Sequence, residues 1–252
     1  MANKDLRRFL EIPYDELEVL NLKAKEKARK RVSQEELREH YLKYLVDTKE
    51  IKAVTVGFSD LEGRFHMLDY DKKFLLKAEK NLTFDGSSIK GFSVVSESDL
   101  RIALDWSSFR WLPSDIFGPG KVIMFTDILE KNGQPYMSDM RGLLKKFTND
   151  LYNKQKMVAQ VSVECEGFLF NGLNAEQNYS SKVGFSLIST GGYFHSLPND
   201  PLKLFIDGFA EAQRAMGFEN EKDHPEVAPS QFELNYSYVD ALLAADLVQL
   251  YK

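Results

Sequence analysis

The chain has 252 residues, and its 43% apolar and 28% charged content excludes a disordered or fibrous protein while fitting one large domain or two small ones. A net charge of −5, from 33 basic and 38 acidic residues, argues against a protein that lives on nucleic-acid phosphates. The single cysteine, Cys165, excludes an intramolecular disulfide framework and a cysteine-rich zinc site. No apolar run approaches the roughly 18 residues that span a bilayer, and the N-terminus MANKDLRRFLEIPYDELE has no apolar signal-peptide core. A soluble cytoplasmic protein with no membrane or nucleic-acid partner is expected.

Residues 1–50 contain no glycine and are dense in charge, with six basic residues between Lys23 and Arg31. The run fits a contact with RNA or acidic lipid, or a solvated helical face; the negative net charge favours the solvated face. Ser33-Gln34-Glu35-Glu36 has the form of a capping box opening a helix through about Leu45. From Ile51 the period becomes that of strands. Ile51–Phe58 and Arg64–Asp69 flank a turn over Ser59–Gly63 and form a hairpin. A short helix over Asp71–Lys80 and a strand over Gly120–Thr126 follow. Ser138 is placed to cap a helix whose buried face is Met140, Leu143, Leu144, Phe147 and Leu151. Val158–Phe170 is strand-like and Asn171–Ser181 is polar loop. A second strong helix takes Asp200 as cap and Pro201 as first residue, buries Leu202, Phe205, Phe209, Ala212 and Met216, and stops at Gly217. Tyr238–Lys252 has a helical apolar pattern and ends without glycine, proline or a polar tail, which reads as the N-terminal portion of something longer.

Glu164-Cys165-Glu166 lies within VSVECEGFLF. On a strand the two glutamates share one face and Cys165 the other, where it serves as an inert core residue. Two like charges on one face of an apolar strand are costly unless neutralised. Glu226 and Glu233 lie in HPEVAPSQFELNY, where Pro225 and Pro229 force an extended, bent course. Oxygen-only ligands suit hard cations such as Mg²⁺ or Mn²⁺, while four exposed glutamates are also commonplace. Of the four histidines only His224 neighbours this motif, and neither a glycine-rich phosphate loop nor a nucleophile elbow is present.

In this order FDGSSIKGF, ESDL (Glu97–Leu100), SDMRGLLKKF, VECEGFLF, GGYF and MGFENEKDHPEVAPSQFE resemble glutamine synthetase of the bacterial type I class, from about Ile51 to Lys252. The resemblance covers roughly the first half of a family chain. It implies an α+β fold: a charged helical extension over 1–50, a β-grasp domain over 51–137, and over 138–252 part of a catalytic domain, truncated at its C-terminus, built on a curved antiparallel sheet with helices. It implies ATP-dependent condensation of glutamate with ammonia through γ-glutamyl phosphate, with Mg²⁺ or Mn²⁺ at two or more sites neutralising phosphoryl oxygens. By motif position, Glu166, Glu226 and Glu233 match ligands of one metal and Glu164 a ligand of a second, ATP-side metal. Glu221 falls where the family contacts the nucleotide, and His224 is placed beside it as a cofactor-binding residue. Asp85 and Ser88 of one subunit, with Tyr193 and Glu226 of its neighbour, match an ammonium pocket. Homo-oligomeric rings, a dodecamer, with active sites at subunit interfaces are implied.

Departures from the family pattern are Cys165 for a proline, Gly167 for an aromatic and Pro225 for a histidine. These flank the ligands rather than replace them. A γ-glutamyl ligase for a larger amine, or a non-catalytic synthetase-like protein, are the alternatives; Asp85 and Ser88 favour ammonia. Four expectations follow. Glu164, Glu166, Glu226 and Glu233 should share one cavity, with at least one carboxyl pKa raised by mutual repulsion. The DGSS turn should lie far from them within one chain. The last helix should leave a stripe through Leu243, Leu247 and Leu250 wet, at about 1.5–3 kcal/mol each. The 252-residue chain should therefore be aggregation-prone and form no glutamine alone.

Overall fold

The computed structural model describes residues 10–95 and 98–252; Glu97 of the ESDL motif lies outside them. Two helices come first, α1 (Tyr14–Arg29) and α2 (Gln34–Asp47). The capping reading of α2 holds, since Ser33 Oγ accepts from the Glu36 amide. A six-stranded mixed sheet follows, of β1 (Ala53–Ser59), β2 (Phe65–Asp71), β3 (Leu82–Asp85), β4 (Asp99–Leu104), β5 (Arg110–Trp111) and β6 (Lys121–Leu129), with short helices α3 (Lys72–Ala78) and α4 (Ser114–Phe117) between strands. Its order is β2-β1-β6-β4-β3, with β5 also on β6; β1 and β6 run parallel. After α5 (Met140–Gln155), the strands β7 (Gln160–Phe168), β8 (Asn220–Pro225) and β9 (Gln231–Asp240) form an antiparallel sheet in the order β7-β9-β8, accompanied by α6 (Pro201–Ala215) and α7 (Ala241–Tyr251). The fold is α+β. Among the described residues no helix is long and apolar enough to cross a membrane.

Strand β6 is buried on both faces, and its alternation divides the core. Val122 and Met124 pack with Leu17, Leu37, Tyr41 and Leu45 of α1 and α2, whereas Ile123 and Phe125 pack with Cys165, Tyr236, Leu247 and Leu250 on the side of the second sheet. The N-terminal helices are therefore half of a core, not a solvated extension. Tyr41 stacks on Phe109 with ring centroids 4.2 Å apart. Lys25, from the basic run, is 2% exposed; its Nζ donates to Glu219 Oε2 at 2.6 Å and to the Gly217 carbonyl at 3.3 Å.

Four helix expectations need correction. The cap of α5 is Asp139, which accepts from the Gly142 amide, and not Ser138. Its expected buried face is largely its outer one: Met140, Leu143 and Phe147 are 47%, 48% and 62% exposed. The inner face carries Arg141, Lys145 and buried Thr148, because three aspartates wait there: Asp105, Asp127 and Asp246. The last helix starts at Ala241, capped by Asp240, since Tyr238–Asp240 still belong to β9. Its leucines are not wet: Leu247 is 1% and Leu250 6% exposed, and Leu243 is partly buried against the same core. Helix α7 lies across β7 and covers Ile123 and Phe125, so the argument for aggregation falls with the stripe. The α6 signals hold: Asp200 caps, Pro201 is first, and Gly217 at φ 82° ends the helix.

Asn21 ties the first sheet to the end of α6. It is fully buried; its Nδ2 donates to the carbonyls of Trp111 (2.9 Å) and Ala215 (2.7 Å), and its Oδ1 accepts from the Trp111 amide (3.0 Å). Asn21→Ala leaves three backbone groups buried without partners, at about 1–3 kcal/mol each before relaxation. A net loss of roughly 2–4 kcal/mol is expected, read as a lower urea midpoint at unchanged m-value; a loss within about 0.5 kcal/mol would show that water replaces the amide.

Candidate active site: a carboxylate–histidine rank on the second sheet

Strand register builds the site. Glu166 pairs with Glu233, which pairs with His224, so the three stand side by side across β7, β9 and β8. Glu164 stands two residues along β7 opposite Asn235, on the same face. Cys165 is buried behind them opposite Leu234, with its thiol pushed up to about 11 by burial, which suits an inert core residue. The turn after β8 brings Glu226 back over the rank. His224 Nδ1 is 3.9 Å from Glu226 Oε1, and His224 Nε2 is 3.9 Å from Glu233 Oε1. One donor atom from each of His224, Glu226 and Glu233 lies within 4.8 Å of the others.

Glu233 is nearly buried, and its carboxyl sits above the usual glutamate range. Burial is the largest cause; a hydrogen bond shared with Glu226 and the charge of Glu164 act in the same direction. Asn235 Nδ2, donating to Glu233 Oε1 at 2.7 Å, and His224 oppose the shift. A raised carboxyl is as expected, although burial outweighs repulsion. Glu166 Oε2 accepts from Gln231 Nε2 at 2.7 Å, which holds it toward the turn. The convergent donors are the carboxylates of Glu226 and Glu233 and the imidazole of His224. Such a set fits a divalent cation, whose charge would offset the cost of ionising buried Glu233.

The GGYF segment closes over His224. Tyr193 and Phe194 stack with centroids 3.8 Å apart, and both meet the His224 ring edge-on, at 5.5 and 4.7 Å. The Phe194 amide donates to the Pro225 carbonyl. Gly191 must be glycine: its φ is 71°, and a Cβ there would stand 2.6 Å from Pro229 Cα. Ser230, fully buried, pins the same loop by accepting from the Ile188 and Ser189 amides.

The remaining sequence candidates sit apart from the rank. Asp85 ends β3, an edge strand of the first sheet, and its carboxylate accepts from the Ser87 amide and the hydroxyls of Ser87 and Ser88 within its own turn. These bonds lower its pKa. Glu221 is exposed within the irregular stretch of β8 between Asn220 and Asp223 and accepts from Ser237 Oγ at 2.8 Å. Reading the sequence missed the convergence of His224 with the glutamates, and the ring of Phe194 against it. The signal for both is the register of β8 on β9, which no local pattern carries.

Residues 50–131 match the family model described as glutamine synthetase, beta-Grasp domain, and residues 137–252 match glutamine synthetase, catalytic domain. Glutamine synthetase of Methanosarcina mazei is 34% identical over 208 residues, 82% of this chain and 45% of its own. That of Clostridium saccharobutylicum is 32% identical over 213 residues, 82% of this chain and 46% of its own. The chain thus spans about half the length of these curated relatives. Plasmodium falciparum glutamine synthetase shares the fold, with TM-score 0.71 at 24% identity over 84% of this chain and 46% of its own. A structure titled as a GmaS/ADP complex shares it at TM-score 0.67 and 22% identity, over 83% and 47%. Residues 1–49 lie outside both family matches.

The raised Glu233 carboxyl sets a pH dependence. Below the ordinary glutamate range, near pH 4, wild type and Glu233→Gln both carry a neutral side chain there. As the pH rises through the Glu233 pKa, the folded wild type gains a charge that the unfolded chain accepts more readily. In metal-free buffer the stability of wild type relative to Glu233→Gln therefore falls with rising pH. Denaturation midpoints of both proteins across this range check it; a difference independent of pH contradicts the assigned environment.

Proposed function

The chain belongs to the glutamine synthetase family, and from that premise we propose that it is the N-terminal share of an ATP-dependent glutamate–ammonia ligase. The observation that carries the reading is the rank Glu166–Glu233–His224 with Glu226 folded onto it. In this reading Glu166, Glu226 and Glu233 hold one Mg²⁺ or Mn²⁺, Glu164 holds a second toward ATP, and His224 and Glu221 border the nucleotide. The bound cations would neutralise phosphoryl oxygens during transfer. The γ-phosphoryl group of ATP passes to the glutamate γ-carboxylate; ammonia then adds to the acyl carbon and phosphate leaves.

Asp85 and Ser88 serve the neighbouring subunit in this reading, opposite its Tyr193 and Glu226. The support is the place of Asp85 at a sheet edge, on an exposed turn whose hydroxyls keep it ionised. An anion so placed attracts NH₄⁺ and takes its proton, releasing the nucleophile. The working form is then a cytoplasmic homo-oligomer of rings, a dodecamer, with the β-grasp domain over 51–137 and the catalytic portion over 138–252.

Mn²⁺ titration followed by electron paramagnetic resonance tests the metal assignment on this chain. Glu233→Gln and Glu166→Gln should each weaken binding at least about tenfold, while Glu211→Gln on the outer side of α6 leaves it unchanged; equal affinities in all three would sink it. In the assembled enzyme, Asp85→Asn and Glu226→Gln should each abolish glutamine formation, and their co-assembly should restore part of it. Failure to restore rejects the shared pocket. Preference for a larger amine over ammonium would replace the ligase reading with the γ-glutamyl ligase and remove the role given to Asp85.

A further inference from the structure

A second cavity, of about 510 Å³, opens where α1, α5, α7 and the start of β7 meet the first sheet. That is a volume suited to a small organic ligand. It lies at the Gln160–Asp240 end of the β7/β9 pair, six residues from Glu166 along β7, or about 20 Å. Its wall carries five basic side chains, Arg29, Arg31, Arg110, Arg141 and Lys145, against three aspartates, Asp105, Asp240 and Asp246, of which Asp246 pairs with Arg141 and Asp240 caps α7.

Three of the five basic side chains already have carboxylate partners; Arg29 Nη2 lies 3.6 Å from Glu219 Oε2 in an exposed pair. Arg141 and Lys145 are held by Asp105, Asp127 and Asp246. Arg110 is different. It is 3% exposed, and it donates one hydrogen bond, from Nη1 to the Phe109 carbonyl at 2.7 Å. Among the described residues it forms no ion pair within 4.0 Å. The nearby carboxylates leave it little: Asp246 gives both oxygens to Arg141 at 2.7 Å, and Asp127 and Asp105 give theirs to Arg141, Lys145, Ser107 and Gln34. Burial pushes the Arg110 guanidinium toward its neutral form, opposed by Tyr41, Asp246 and Asp105 at longer range. A guanidinium forked for two parallel bonds, nearly buried and facing a cavity, is the arrangement that receives an oxyanion.

We propose that this cavity binds a small metabolite through a carboxylate or phosphate group held by Arg110, with Arg29 and Arg31 at its mouth and Val32, Val158 and Leu242 covering the ligand's apolar part. Arg31 lies with its guanidinium carbon 3.8 Å from the centre of the Tyr152 ring, which positions its charge at the opening. Both mouth arginines belong to the segment outside the family matches, so the site is a property of this chain rather than of the matched domains. It is independent of the ligase reading and of the glutamate rank.

The test titrates the full chain with inorganic phosphate and, separately, with succinate at constant ionic strength, by calorimetry and by thermal midpoint. Saturable binding of at least one probe at millimolar concentration is expected. Arg110→Met should weaken it at least about tenfold, and Arg110→Lys, which keeps the charge but loses the fork, should fall between. Because Arg110→Met removes a buried residue, Arg29→Ala/Arg31→Ala on the accessible mouth serves as the second variant and should also weaken binding. Preference for phosphate identifies a phosphorylated ligand, and preference for succinate a carboxylate. No saturable binding of either probe, or binding unchanged in Arg29→Ala/Arg31→Ala and in folded Arg110 variants, overturns the proposal.

Discussion

The guanidinium of Arg141 is the joint on which the two halves of this molecule turn. It reaches Asp246 of α7 through Nε and Nη2 at 2.7 Å, Asp127 of β6 through Nη1 at 3.1 Å, and Asp105 before β5 through Nη2 at 3.1 Å. Lys145, one helical turn on, closes the circuit to Asp105 and Asp127. The charges of Arg141 and Lys145 hold the Asp105 carboxyl well below its usual range despite burial, while burial still dominates at Asp246 and pushes that carboxyl up. Such a network adds little net stability over an apolar core, but breaking it leaves buried charge uncompensated, at about 3–5 kcal/mol. Its value lies in geometry: only one placement of α5 and α7 against β6 satisfies all three aspartates.

That constraint explains where the sequence was legible and where it was not. Alternation in VECEGF placed Glu164 and Glu166 opposite Cys165, and the caps of α2 and α6 and the β1–β2 hairpin are local features that short windows contain. Helix α5 was misread because periodicity identifies an amphipathic helix but not which side its partners occupy. Here the side facing inward is the one with cations, because the sheet opposite presents carboxylates. The stripe of α7 was misread for a related reason: its cover is Ile123 and Phe125, more than a hundred residues earlier in the chain. Strands β3 and β5, of four and two residues, are too short for a period to stand out, while the alternation of β4 over Asp99–Leu104 was passed over.

The candidate site divides in the same way. Its carboxylates were visible as residues, because like charges on an apolar strand stand out. Their assembly was not, since Glu233 meets His224 only through the register of β8 on β9, and Glu226 arrives through a turn shaped by two prolines and buried Ser230. Burial of Glu233 and the aromatic cover of His224 are likewise products of packing. They make the rank electrostatically unsettled without a cation, a condition that a surface cluster of glutamates would not share.

The N-terminal helices complete the argument from one face of α1. Leu17, Asn21, Ala24 and Lys25 are spaced three or four apart and point the same way, so the helix that buries leucine and alanine also buries an amide and an ammonium. Lys23 and Lys30, a fraction of a turn away, remain in solvent. Burial depresses the Lys25 pKa, and its partner Glu219 counters that, its own carboxyl lowered by the same contact. Glu219 in turn immediately precedes β8, and its carbonyl accepts from Ser237 of β9. The chain of contacts therefore runs from a helix outside the family matches, through Asn21 and Lys25, into the strand that carries His224. A basic run that composition reads as solvated charge supplies, through buried Lys25 with exposed Arg29 beside it, the fastening of α1 to the segment that leads into β8.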